Sequence, residues 1–332
     1  MLPVLNKLLS IDGREVTFVR RGFSSVKHEV RERLEHIGTI FLVGYHAALQ
    51  ENEPEALSER LEQVALEYRG FAYEGAAMVL TLRDAIIPGS SRLTEFMEGA
   101  GKRHIYMLHV GAGWACARLP WLRWRIETVI RKFDPVLRWL VLDGYGFHQG
   151  YFHFKTPVNS AVNRLSTDAR HIFYQGLGRS LWFMHGCDFR KISQAIFGFP
   201  ATYQVDAWSG IGLACAYAGG VLEGEMEEAV SLAGHFTLAL AQGAAFAAKA
   251  RQLAGNEAAH TERACAVFAC VNAQQAAAVC DQALAMVDTN SSSPYQQWRE
   301  LVQNYFSSTR NRVRGNSHET ESFQSLVSAK PD

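Results

Sequence analysis

The sequence predicts an all-α protein, an irregular series of helix hairpins of the tetratricopeptide-like or α/α-array kind. Three observations carry that expectation. Helix signals dominate the 332 residues, with apolar stripes at helical spacing, Ser or Pro at helix starts and Gly at helix ends. Strand-like alternation is confined to short stretches. Glycine recurs in similar phrases, FLVGYHAAL, AYEGAAMVL, LHVGAGWAC, FHQGYFHFK, FYQGLGRSL, AWSGIGLAC and LAQGAAFAA, centred on Gly44, Gly75, Gly111, Gly150, Gly176, Gly210 and Gly243. The intervals are 31, 36, 39, 26, 34 and 33 residues, the period of stacked helical units, although 26 is short for a full one. In five of the seven phrases Ala or Gly stands two residues after the central glycine.

Taken in order, REVTFVRRGF (14–23) can pair briefly as a strand, and RGF returns at 69–71. A serine-capped helix is expected over 24–49 and a second over 57–70, stopped by Gly70. Pro120 opens an amphipathic helix over 120–133. WLVLDGYGFHQG (139–150) reads as a turn between helices, with 138–146 ambiguous between strand and helix. STDARHI begins a helix that carries HIFYQGLGRSLWF (171–183). Glycine inside a helix costs about 1 kcal/mol against alanine, so Gly176 and Gly178 need a reason. A phosphate loop needs a strand before it, and six sister phrases would then imply seven such loops. Close approach of two helices is the simpler reason. VDTNSSSPY (287–295) reads as a surface loop before a last helix. Residues 1–306 form one helical domain, and the polar, Ser-rich 307–332 a disordered tail.

Composition narrows the function classes. Lys and Arg total 33, as do Asp and Glu, without the basic excess of a nucleic-acid binder. The N-terminus lacks the basic n-region and long apolar core of a signal peptide. Cys116, Cys187, Cys215, Cys265, Cys270 and Cys280 form no C-x-x-C pair, so free thiols in a reducing, cytoplasmic setting are expected. The 20 uncharged residues between Glu228 and Lys249 are long enough to span a membrane. Their Ala and Gly content, with His235 and Gln242, fits a buried helix better. No membrane span is expected, which leaves room for a membrane-associated partner.

No catalytic motif is complete. Gly144, Gly146 and Gly150 after an apolar run match a variant dinucleotide fingerprint, with Asp168 near the acidic position, but no βαβ series surrounds them. His148 and His153, five apart, point about 140° from one another on a helix, which disfavours a helical metal pair, and no metal is expected. MHGCD (184–188) reads as a glycine-capped helix end. The chain has no G-x-S-x-G elbow, no D-D-x-x-D cluster and no P-loop, and no cofactor is assigned. Polar residues precede the recurrent glycine at Glu74, Gln149, Gln175, Ser209 and Gln242, with His109, His153, Arg179, Asp206 and Lys249 nearby. They either satisfy one another between helices or line a ligand groove gripped by Tyr145, Trp182, Trp208 and Phe246. The candidate cleft residues are Asp143, Tyr145, His148, Tyr151, His153, Gln175, Arg179, Trp182, Trp208 and Gln242.

RGFAYEGAAM, HIYMLHVGAGWACARLPW, LRWLVLDGYGFHQGYFHF, YQGLGRSLWF, WSGIGLACAYAGGV and LAQGAAFAAKAR, in order over about residues 15–306, resemble a bacterial family of unassigned domain function. That family is known chiefly as an accessory protein encoded beside the iterative polyketide synthases of enediyne biosynthesis. The resemblance implies a role in secondary metabolism and a partner that is a hydrophobic polyketide-type molecule or a pathway protein. It carries over no catalytic residue. Three expectations follow: a module binding a polyene-type intermediate or partner enzyme in a helix-lined cleft; a tailoring enzyme, or essential enzyme subunit, acting on the linear polyene; or a helical scaffold unrelated to enediynes.

Overall fold

In the computed structural model, which describes residues 9–24, 26–153 and 162–308, the secondary structure is helical and no strand occurs among the described residues. Seven long helices form the framework: α1 (His28–Gln50), α2 (Arg69–Ile86), α3 (Ile105–Arg118), α4 (Leu140–His153), α5 (Thr167–Met184), α6 (Ala201–Ala218) and α7 (Thr237–Ala254). Each packs on the next in chain order. Shorter helices lie between them, and some of these pack on one another, Pro54–Glu62 on Arg92–Glu98 and Phe189–Phe197 on Glu223–Ala233. Two further helices, α8 (Ala259–Ala269) and α9 (Ala273–Ala285), pack on α7, and a terminal helix occupies 294–308.

Glycines set the spacing of the framework. A Cβ on Gly176 would stand 1.8 Å from the Asp143 carbonyl oxygen, and one on Gly178 2.2 Å from that of Ala207. The first faces α4 and the second α6, because residues two apart on a helix diverge by about 200°. The same pair recurs through the middle of the chain. Gly111 meets Glu74 and Gly113 meets Val141; Gly144 meets Val110 and Gly146 meets Phe173; Gly210 meets Gln175 and Gly212 meets Leu240. At the ends, Gly44 and Gly75 meet Ala72 and Phe41, and Gly243 meets Ser209. Packing thus accounts for HIFYQGLGRSLWF, and the turn read at 139–150 is corrected: α4 runs through it. Gly150 is not the equivalent of the other central glycines, since its Cβ would meet the Ser180 side chain. Gly144 is. From Gly75 the intervals become 36, 33, 32, 34 and 33 residues, and the 26-residue anomaly disappears.

Other boundaries also differ from expectation. Residues 14–23 form no strand but a 3-10 turn (Gly13–Val16) and a short helix (Phe18–Arg21), capped by Asp12 and Thr17. The helix expected over 57–70 ends at Glu62, and Gly70 lies in the first turn of α2. There it makes room for Tyr217, whose hydroxyl would be 1.9 Å from an added Cβ. The helix expected over 120–133 is broken into Pro120–Trp124, Ile126–Val129 and a 3-10 turn, Ile130–Lys132. The helix start at STDARHI matches α5, whose Ser166 caps Ala169 N–H. Glu223–Ala254 is long and apolar enough to cross a membrane by length and composition. It is interrupted by a 3-10 turn at Gly234–Phe236, and residues 239–248 are buried in the protein core. Ser307 and Ser308 still belong to the terminal helix, and the rest of the tail read over 307–332 lies outside the described residues.

The ends of the series meet. Arg33 of α1 donates to the Ala218 carbonyl at 2.7 Å. Arg251 of α7 donates to the Tyr217 carbonyl at 2.5 Å and the Glu67 carbonyl at 3.2 Å. Phe71 packs edge-on against Tyr217. The first two long helices are therefore tied to the last two.

Candidate functional site

With Gly75, Gly111, Gly144, Gly176, Gly210 and Gly243 as reference points, the residues one before, three after and seven after lie on one helix face. That face looks into the molecule. Three after come Met78, Trp114, Phe147 and Arg179, and seven after come Arg118, Tyr151 and Phe183, all lining a cavity of about 660 Å³ between α1 and α5. In α6 and α7 the same positions hold Leu213, Tyr217, Phe246 and Ala250, which close around a small void of about 30 Å³. The terminal helix covers that half, with Trp298 stacked on Phe246 at 4.2 Å. One half of the interior is plugged and the other is open.

The cavity wall is aromatic. Trp114 packs on Phe41 at 4.5 Å and Phe147 at 5.1 Å, and the His148 ring stands perpendicular to it at 5.7 Å. Phe147 stacks on Tyr151 at 5.8 Å and meets Phe183 at 5.4 Å. Deep in the wall, Glu74 accepts the Trp114 indole N–H at 3.0 Å. Burial, with a smaller push from Asp143, raises the Glu74 carboxyl to about 7 against the opposing pull of Arg179 and Trp114. Arg179 is ion-paired with Asp143, and its guanidinium lies 5.1 Å over the Phe147 ring. Burial pulls Arg179 down, but the carboxylates of Asp143 and Glu74 outweigh it and leave the guanidinium above its ordinary value.

From that pair a polar seam runs through the residues that precede the reference glycines. Gln175 donates to Asp143 at 2.9 Å and to the Tyr295 hydroxyl at 3.0 Å. Ser209 donates to Gln175 at 3.4 Å and Gln242 at 2.8 Å. Arg299 of the terminal helix donates to Gln242 at 3.2 Å and Asp206 at 2.6 Å, and Asp206 pairs with His171 at 2.7 Å. Here the polar residues satisfy one another between helices, the first of the two readings of the sequence. Among the described residues the Nε2 atoms of Gln242, within the seam, and of Gln149, preceding the misaligned Gly150, are buried without a partner.

The predicted cleft residues divide accordingly. His148, Tyr151, His153 and Arg179 line the cavity. Their rings converge more than the spacing suggested, His148 and His153 being 5.9 Å apart. Asp143, Gln175 and Gln242 belong to the seam. Tyr145, Trp182 and Trp208 are buried in the framework away from the cavity, Tyr145 against Phe173 at 5.3 Å and Trp182 with its indole N–H on the Gly219 carbonyl. Phe246, read as a gripping aromatic, packs on the terminal helix. The dinucleotide fingerprint is embedded in α4, with Gly144 and Gly146 filled by neighbouring backbone. Among the described residues no group of three or more His, Cys, Asp or Glu could hold a metal ion. The cysteines Cys116, Cys187, Cys215, Cys265 and Cys280 are buried and free, Cys270 is exposed and free, and burial holds the thiols of the first five above their ordinary value.

Sequence reasoning missed Trp114, Phe147 and Arg118 as wall residues, and named Glu74 only among the polar residues of a seam or groove. Their signal was their place relative to the glycines, which emerges once Gly144 replaces Gly150. The framework, the cavity wall and all but the last two residues of the terminal helix fall within residues 3–306, which a family model described as a protein of unknown function, DUF1702, matches. The chain belongs to that family. No curated protein and no solved structure matches it. The DUF1702 description carries no activity.

Proposed function

We propose that the protein is an accessory factor of polyketide-type secondary metabolism, of the enediyne kind, and holds a polyene-type intermediate in its helix-lined cavity. The observation that carries this reading is the aromatic cavity of about 660 Å³, within the range that encloses small organic ligands. Planar side chains such as Trp114, Phe147 and Phe183 suit a flat conjugated chain, and Met78 and Leu42 suit an aliphatic one. A cytoplasmic location accords with the five buried free thiols. The nearly regular spacing of the glycine contacts, 32 to 36 residues from Gly75 on, supports a repeated α/α unit as the scaffold of the cleft.

The experiment is a titration with cis-parinaric acid, a conjugated tetraene whose emission rises in apolar surroundings. Saturable binding is expected, and Ala117→Phe, which adds a ring in the wall, should weaken it at least tenfold. A flat emission curve for the unaltered protein would remove the cavity as a polyene site. One observation favours catalysis as a second reading: Glu74, a carboxyl raised to about 7, lies in the cavity wall, where it could donate or accept a proton at neutral pH. On that reading Glu74→Gln retains binding and loses the pathway product.

A further inference from the structure

The cavity is walled mainly by aromatic and aliphatic side chains, with Glu74 and the Asp143-paired Arg179 set into it, and it is positively charged at its mouth. Arg21, Arg118 and Arg123 line it where it meets solvent, Arg118 being exposed and Arg123 partly so. The acidic groups of the same rim are engaged elsewhere. Asp12 pairs with Arg14 at 2.8 Å, and Glu15 is shared by Arg20 and Arg21. Among the described residues the guanidinium groups of Arg118 and Arg123 have neither an ion pair nor a hydrogen bond. Their charge reaches inward: burial first, then repulsion from His153 when it is protonated and from Arg118, Arg123 and Arg21, holds the His148 imidazole well below its ordinary value. His148 is thus neutral, and the arginines supply the charge at the opening. Arg118 also ends α3, where a cation favours the helix dipole. Arg123 likewise stands in the last turn of the short helix Pro120–Trp124; the dipole favours a positive charge at both places but uses none of the guanidinium donors.

We propose that the ligand is an amphiphile, a linear apolar chain ending in a carboxylate, with the chain among the aromatic rings and the carboxylate held at the mouth by Arg118 and Arg123. Guanidinium groups accept a carboxylate through paired N–H donors, and two without partners have donors to offer. The inference rests on the cavity being the binding site and adds the head group to it. It implies that the preceding reaction releases a free acid, as hydrolysis of a thioester does, water adding the hydroxyl and the thiol leaving with a proton.

The test compares cis-parinaric acid with its methyl ester, on the unaltered protein and on the double variant Arg118→Ala with Arg123→Ala. The acid is expected to bind the unaltered protein at least tenfold more tightly than the ester. The double variant should erase that preference, binding acid and ester alike, with an unchanged far-UV circular dichroism spectrum showing that it is folded. Raising the salt concentration should weaken the acid and spare the ester. Equal binding of acid and ester would overturn the carboxylate head group and leave the apolar cavity standing. A preference that survives the double variant would overturn the role of the two arginines. Failure of both ligands to bind would overturn the cavity reading itself.

Discussion

Glu74 is the residue whose energetics most constrain the interior. An ordinary glutamic acid titrates near 4.5, and here the folded state holds it at about 7. Between those values the folded protein binds a proton that the unfolded chain has released, so this group's contribution to stability falls as pH rises from 4.5 through 7. The full effect is about 3 kcal/mol. Buried histidines act in the opposite sense. Burial depresses His104 and His260 to about 4, so below 6.5 the unfolded chain takes up protons the folded state refuses, and stability falls on acidification. Glu74→Gln keeps an acceptor for the Trp114 indole and removes the titration. Thermal unfolding of both proteins from pH 5 to 8.5 should show the variant gaining on its parent by about 3 kcal/mol toward the alkaline end. A constant difference would mean that Glu74 is ionised throughout.

At the scale of the helix, the glycine pairs turn sequence spacing into geometry. The tightest helix contacts bring one backbone against the carbonyl oxygens of the next, and a methyl group has no room there. Gly176→Leu and Gly243→Leu, whose Cβ atoms would lie 1.8 and 2.0 Å from the Asp143 and Ser209 carbonyl oxygens, should each cost at least about 3 kcal/mol, the upper end of the usual overpacking range. Gly224, in the short helix Glu223–Ala233, has nothing within 4 Å of its would-be Cβ, so Gly224→Ala should stabilise by about 0.5–1 kcal/mol. Chemical denaturation of the three variants checks both signs at once. The all-helical framework and the reason for its glycines were legible because close packing forces small residues to recur. The site was legible in part. Taking Gly150 as the repeat position shifted α4 by six residues, so Asp143 lost its place beside Glu74 and Gln175, and Phe147 and Tyr151 lost theirs beside Trp114 and Arg179. Local phrases look alike because each is an apolar helix; what distinguishes the equivalent glycine is the carbonyl it faces, which spacing alone does not reveal.

For the whole molecule the decisive contacts join residues far apart in sequence, and no local pattern announces them. An open helical stack contacts its neighbours alone, and its units unfold with partial independence. In this chain α1 and α2 are tied to α6 and α7 across 185 residues between Arg33 and Ala218 and 184 between Glu67 and Arg251. Arg251 is almost wholly buried and serves three carbonyls, those of Glu67, Tyr217 and Asn256, while its guanidinium lies 4.4 Å over the Tyr217 ring. Methionine can fill much of that volume but can donate to none of the three. Each acceptor left dry costs about 1–3 kcal/mol, so Arg251→Met should destabilise by about 3 kcal/mol or more. The closure also predicts a loss of cooperativity. Far-UV circular dichroism reports all helices, whereas tryptophan emission is weighted toward Trp114, Trp182, Trp208 and Trp298 of the interior. In the unaltered protein the two denaturation curves should coincide. In Arg251→Met they should separate, because α1 and α2 can then leave α6 and α7 before the rest gives way. Coincident curves at an unchanged midpoint would show that the helix series holds together through its neighbour contacts, with the closing arginine contributing nothing.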